Sequence, residues 1–163
     1  MYLLHNIGEK VNSNYNTIEE VSSHDNLTFD GIYLNVWEHR AHLVDKNVTL
    51  FVMGNFVGKD NSFDVGMPYE KYCDWNQIMD LVNLGAKLGW HTWSHTDLTK
   101  LSKDEILKEI TPPFPMDELA YPHGKFNDLV IQCAKEVGFK KAWSVTEGDN
   151  SDYQLRREYL CLN

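Results

Sequence analysis

HTWSH, residues 91–95, follows directly on the apolar end LGW of residues 88–90, and its two histidines, His91 and His95, stand four positions apart. Two imidazoles at that spacing can face one way and share a divalent ion, and neutral imidazole is the commonest nitrogen ligand of zinc, cobalt, nickel or iron. With a carboxylate nearby the pair points to metal-assisted hydrolysis. Spacing alone is a weak signal in a chain with 7 histidines, so the surrounding pattern has to carry the reading.

Outward from this run, short apolar strands alternate with amphipathic helical stretches, the pattern of an α/β fold with a mostly parallel sheet. NLTFD (26–30) reads as the first strand, and residues 33–45 as a helix that turns Val36, Trp37, Ala41 and Val44 to a core. VTLFVM (48–53) is a second strand, apolar almost throughout. A polar loop containing Gly58, Gly66 and Pro68 leads to a helix over residues 74–87, with Ile78, Leu81, Val82 and Leu88 on one face and Gly89 closing it. LGW is the third strand. Ser102, ahead of Asp104 and Glu105, gives a capped start to the helix expected within residues 99–110, which stops before Pro112 and Pro113. ELAY (118–121) is the fourth strand, residues 127–137 a helix closed by Gly138, residues 141–145 the fifth strand, and residues 159–162 a candidate sixth. Loops that follow parallel strands gather at the strands' carboxyl ends, where sites form. Asp30, His91 and the turn PHG at residues 122–124 all fall there.

A chain of 163 residues is expected to form one domain, spanning residues 1–163, with its own core. Its 24 acidic against 15 basic residues give a formal charge of −9 with no basic stretch, which argues against a nucleic-acid partner. The start, MYLLHNIGEKVNSN, has neither a basic leader nor a long apolar run, and no segment approaches the ~20 apolar residues of a membrane span, so a cytoplasmic location is expected. Cys73, Cys133 and Cys161 are scattered and odd in number, and read as reduced, structural thiols. Trp37, Trp90 and Trp143 read as core, Trp75 and Trp93 as loop aromatics able to stack on a sugar face or pack inward, and Arg156 and Arg157 as a pair able to bind a substrate carboxylate or phosphate, although paired arginines on a terminal segment are usually solvated.

Three motifs in order resemble those of the NodB-like polysaccharide deacetylases of carbohydrate esterase family 4. They are LTFD (27–30), HTWSHTDL (91–98) and AYPHGKFN (120–127), the last similar to the AYPYG form of one short branch. LVIQCAKEVGFKKAWSV (129–145) resembles the helix and strand that follow in the family. The resemblance implies a distorted, incomplete (β/α) barrel of about five to six mostly parallel strands. It further implies a hydrolase that removes an N-acetyl group from an amino sugar with a divalent metal, zinc foremost and cobalt or nickel next. On this pattern His91, His95 and Asp30 are metal ligands, Asp30 and His123 are catalytic, and Tyr121, Pro122, Gly124 and Trp93 line the substrate side, with the backbone N–H of His123 placed to stabilise an oxyanion.

Two departures from the family pattern bear on roles. The family's first motif carries paired aspartates, one a base and one a metal ligand, whereas here Asp30 is followed by Gly31, so Asp30 serves as base or as ligand and the sequence leaves both open. The family's later LxH motif, which supplies the general acid, has no match before Asn163; His123, standing where the branch has tyrosine, and His5, in a YLLHN segment resembling the branch's MYH, are the candidate replacements. The expected function is deacetylation in surface-polysaccharide or glycan-precursor biosynthesis. The alternatives are a degenerate member that binds saccharide or metal without catalysis, and a hydrolase of a non-sugar amide, as in the allantoinase-like and imidase-like relatives.

Overall fold

The computed structural model describes residues 1–7, 15–62, 68–145 and 147–160, so Gly66 and Cys161 lie outside the described residues. In chain order the strands are β1 Tyr2–Leu4, β2 Asn6–Ile7, β3 Tyr15–Asn16, β4 Asn26–Asp30, β5 Asn47–Val52, β6 Lys87–Trp90, β7 Glu118–Ala120, β8 Lys141–Trp143 and β9 Glu158–Tyr159. The helices are α1 Ile18–Ser22, α2 Leu34–Glu38, α3 Trp75–Asn83, α4 Lys103–Ile110 and α5 Asp128–Val137. Seven strands form one sheet in the order β8-β7-β6-β5-β4-β1-β9, every neighbouring pair parallel, and β2 pairs with β3 apart from it. The sheet is the incomplete (β/α) barrel expected, with seven strands rather than five to six. The strand beyond six is β1, too short to stand out in the sequence; β9 answers to the candidate sixth strand, beginning one residue earlier, with residues 161–162 of that reading outside the described residues.

Alternation along the strands divides two environments. Leu27 and Phe29 of β4, Leu50 and Val52 of β5, Trp90 of β6 and Leu119 of β7 join the core made with Val36, Ile78, Ile106 and Val130 of the helices. The residues between them face the other way, and there Phe51, Ala120 and Trp143 cluster with Met1 and Leu155. Gly89 is placed by this second face: a Cβ on it would fall 2.4 Å from Cε1 of Phe51. Cys73 and Cys133 are buried free thiols, and burial pushes the Cys73 thiol up to about 12.

Helix ends follow local chemistry and correct three sequence readings. The stretch 33–45 is not one helix: α2 ends at His39, where Arg40 Nη1 donates to the Trp37 carbonyl at 2.9 Å while its guanidinium stacks on the Trp37 ring, and a 3-10 turn Arg40–Leu43 follows. Val44 is consequently 43% exposed instead of in the core. α3 is stopped by Gly85, in the left-handed region at φ 105, so Leu88 and Gly89 belong to β6. Ser102 and Glu105 form a reciprocal capping box that starts α4 after residues 99–101, and Gly138 closes α5 in left-handed geometry.

The two edges of the sheet are joined by residues 155–160. Leu155 N donates to Ala142 O at 3.1 Å and its carbonyl accepts from Ser144 N at 2.7 Å; three residues on, Glu158 N reaches Met1 O at 3.2 Å. The segment therefore leaves β8 and arrives at β1, crossing the gap of the barrel. Asn16 Nδ2 donates to Leu160 O at 2.6 Å and fastens its far end. No helix among the described residues is long and apolar enough to cross a membrane.

Candidate active site

Strand register and alternation bring the polar residues together. Leu4 pairs with Phe29, which puts His5 level with Asp30 at the ends of β1 and β4, on the face opposite the helices. Trp90 pairs with Val52 and Leu119, so His91 emerges one position beyond the sheet's last rung, opposite Ala120. Arg157 comes from the crossing segment.

Asp30 and Arg157 form the centre. Nη1 donates to Asp30 Oδ1 at 2.5 Å and Nη2 to Oδ2 at 2.8 Å, with Nη1 also 3.3 Å from Thr28 Oγ1 and Nε 3.2 Å from the Ser144 carbonyl. The guanidinium lies over the Phe51 ring at 5.2 Å. Arg157 is 2% exposed and Asp30 6%, so the expectation of a solvated arginine is corrected: one of the pair is buried as the partner of the site carboxylate. Burial pushes the Asp30 carboxyl up, but Arg157 and His91 outweigh it and hold the group well below the usual carboxylate range. It is ionised at any physiological pH.

His91 is 2% exposed, with Nδ1 at 2.8 Å from the Ala120 carbonyl and Nε2 at 3.6 Å from Asp30 Oδ2. A carbonyl only accepts, so Nδ1 carries the proton and Nε2 presents a lone pair to the site. Burial lowers the His91 pKa despite Asp30, and burial pushes His95 down to about 3, with His91 and His123 adding; both rings are neutral. The His95 ring stands edge-on to His91, centroids 4.8 Å apart, and edge-on to His123 at 4.6 Å. His5 is half-buried beside them, and burial lowers its pKa too.

The HTWSH loop is held by α4. Ser94 donates from N and Oγ to the Glu109 carboxylate at 2.9 and 2.8 Å, and Trp93 N donates to the Glu109 carbonyl at 3.1 Å. Thr92 and His95 have φ of 68 and 58, and His123 in the PHG turn has φ 58. Non-glycine residues in the left-handed region are strained, and such strain concentrates at functional sites. Glu109 carries no local mark of this role in the sequence, because a glutamate on an amphipathic helix looks solvated.

The expected substrate-side residues are placed differently. Tyr121 is 1% exposed, stacks on Phe126, and donates its hydroxyl to the Tyr153 carbonyl at 3.0 Å, which packs it into the core beneath the turn. Pro122 and Gly124 are buried and shape the turn, Gly124 at φ 68 with its Cβ position 3.0 Å from Val145 N. Trp93 is half-buried, edge-on to Trp90 at 5.0 Å, covering Gly54, with Nε1 bonded to the Thr111 carbonyl at 2.9 Å. Trp75 is 37% exposed and lies on Phe114. His123 is exposed on the rim.

The donors suit a divalent ion in part. A histidine that ligates through one nitrogen commonly donates the other to a carbonyl, which is the state of His91. Asp30, in contrast, has both oxygens on a guanidinium. Among the described residues no three histidine, cysteine or carboxylate groups are gathered about one point, so the ligand set usual for catalytic zinc is not in place around His91 and His95.

With this geometry in hand, comparison with known proteins is decisive for the family. The polysaccharide deacetylase family model matches residues 20–142. The chain belongs to the polysaccharide deacetylase family. Family members are enzymes that cleave the C–N bond of an N-acetyl group. The fold is also that of solved deacetylase structures. A Streptococcus pyogenes deacetylase, PplD, in complex with acetate is 17% identical, with 98% of this chain and 89% of that chain covered at a TM-score of 0.73. IcaB from Ammonifex degensii is 15% identical over 99% and 91% of the two chains, with a TM-score of 0.75. A de-N-acetylase from Aggregatibacter actinomycetemcomitans is 12% identical over 98% and 92%, with a TM-score of 0.65. Among curated proteins none matches the chain.

Proposed function

We propose that this polysaccharide deacetylase removes N-acetyl groups from amino sugars of surface polysaccharide or its precursors, with Asp30 as general base and a divalent ion on His91 and His95. The observation that carries the reading is the Asp30 carboxylate, fixed by Arg157 and kept ionised 3.6 Å from the Nε2 of a neutral His91. When bound, the ion supplies Lewis acidity, polarising the acetamide carbonyl and acidifying a water. Asp30 accepts a proton as water adds to the carbonyl carbon. Arg157 holds both carboxylate oxygens in place and blocks protonation of Asp30 before the reaction. A nitrogen acid then protonates the leaving amine as the C–N bond breaks, giving acetate and the free amino sugar, and His5 and His123 are the two further imidazoles in the cluster. An ion on either Asp30 oxygen would face the Arg157 guanidinium, which weighs against the ligand role and leaves the base role.

Acetate release from N-acetylated sugar nucleotides and from wall-type oligomers, measured with Zn²⁺, Co²⁺ and Ni²⁺ added singly, tests this. The expected result is metal-stimulated release that falls ~10²–10⁴-fold in Asp30→Asn. Binding without hydrolysis is the second reading, and Gly31, in place of the family's paired carboxylate, favours it. Saccharide binding with no release under any of the three metals selects that reading and sinks the first.

A further inference from the structure

We propose that Glu109 of α4 is a positioning residue for the reaction, holding the HTWSH backbone in the one conformation that keeps His95 beside His91. The inference rests on the reading above that these two imidazoles belong to the reacting site. The two are fixed in different ways. His91 is held by the sheet, its N donating to the Val52 carbonyl at 2.8 Å and its Nδ1 to the Ala120 carbonyl at 2.8 Å. His95 hangs on the loop: its N donates to Thr92 Oγ1 at 3.0 Å, and its ring stands edge-on to His91 at 4.8 Å.

The loop is strained on either side of what Glu109 grips. Thr92 and His95 both lie in the left-handed region, at φ 68 and 58, and non-glycine residues persist there where their surroundings over-determine the conformation. Between them stand Trp93 and Ser94. The Glu109 carbonyl accepts from Trp93 N and from Trp90 Nε1, both at 3.1 Å, while its carboxylate accepts from Ser94 N at 2.9 Å and from Ser94 Oγ at 2.8 Å. Hydrogen bonds to an ionised carboxylate are stronger than those between neutral groups, so the side chain is the firmer half of this grip. Beyond His95 the chain has an anchor of its own, because Asp97 accepts from Thr99 Oγ1 at 2.6 Å and from Lys125 Nζ at 2.9 Å. Losing the Glu109 carboxylate therefore frees residues 93–95 while both flanks stay fixed, and His95 moves relative to His91.

Three variants test this. Glu109→Ala removes the carboxylate and keeps the carbonyl and the helix, alanine being the best helix former. Glu109→Gln keeps an acceptor for Ser94 N, and its amide can donate to Ser94 Oγ, which then gives its own proton to Thr96 Oγ1. Ser94→Ala removes the Oγ bond alone. Acetate release in the assay above and ring ¹H–¹³C spectra of the metal-free protein are measured for each, with thermal melts as the check on folding. In Glu109→Ala, kcat is expected to fall ~10²-fold, the cost of a misplacement of about 1 Å, with KM little changed because the residue acts through the loop. The His95 ring signals move more than those of His91, and Glu109→Gln restores most of both properties. Ser94→Ala falls between the two and decides the matter if Glu109→Ala does not fold. Unchanged kcat with unmoved His95 signals in Glu109→Ala overturns the assignment, as does an equal loss in the alanine and glutamine variants when both melt like the wild type. A wild type that releases no acetate with any of the three metals sinks the deacetylase reading instead, and the ring spectra then decide the positioning of His95 by themselves.

Discussion

At the scale of single residues, the buried pair of Asp30 and Arg157 is the feature on which the site depends. Breaking such a pair by removing one partner leaves an uncompensated charge and costs about 3–5 kcal/mol. Arg157→Met should lose that much stability in urea denaturation, and adding Asp30→Asn should restore a large part of it; a double variant no more stable than Arg157→Met would refute the pairing. Asp30 was legible in the sequence because LTFD ends an apolar strand where rim loops begin. Arg157 was not, since a charged residue in a short terminal stretch carries no local mark of burial and its partner lies 127 positions away. Tyr121 shows the converse: its motif marked the turn, but its burial comes from standing between buried strand residues and a core-facing turn.

Among the elements, β6 contributes most, because it carries His91 at its end and Gly89 under Phe51, whose ring supports the Arg157 guanidinium. Gly89→Ala should overpack this face, costing about 1–3 kcal/mol, and should lower the turnover number by displacing Arg157. Gly85→Ala is the control. No atom lies within 4 Å of a Cβ there, although φ is 105. It should cost about 1–2 kcal/mol from backbone conformation alone and leave turnover per folded molecule unchanged. Equal turnover in the two variants would show that Phe51 does not transmit packing to the site. Elements with strong end signals were readable in advance: the Ser102 box of α4 and the Gly138 stop of α5 are where the chemistry of residue types puts them. β1, β2, β3 and α1 were missed because two to five residues are too few to display a period. Gly89 was taken for a helix stop, although its reason is the closeness of a neighbouring strand's phenylalanine.

For the whole molecule, the neutral imidazoles set an acid limit. His5, His91 and His95 are all held below the ordinary 6.5, chiefly by burial. Between that value and the lower folded one the unfolded chain binds protons that the folded chain refuses, so stability is full above about pH 6.5 and is lost as pH falls, by up to ~1.4 kcal/mol per pH unit for each group. Asp30, also depressed, adds to the loss only below about pH 4. The melting temperature of the metal-free protein should therefore drop steadily from pH 7 to 5, and less steeply in His95→Gln. A flat profile over that range would contradict the buried, neutral cluster. The alternating pattern of strands and helices revealed the barrel, but its closure by residues 155–160 was beyond reach of sequence periodicity, because that stretch owes its path to backbone bonds with both sheet edges. The crossing has a consequence for the newborn chain. On the ribosome β4 is made early, yet Asp30 stays without its cation until 127 further residues have been joined, so the buried carboxylate cannot reach its paired state in any shorter nascent fragment.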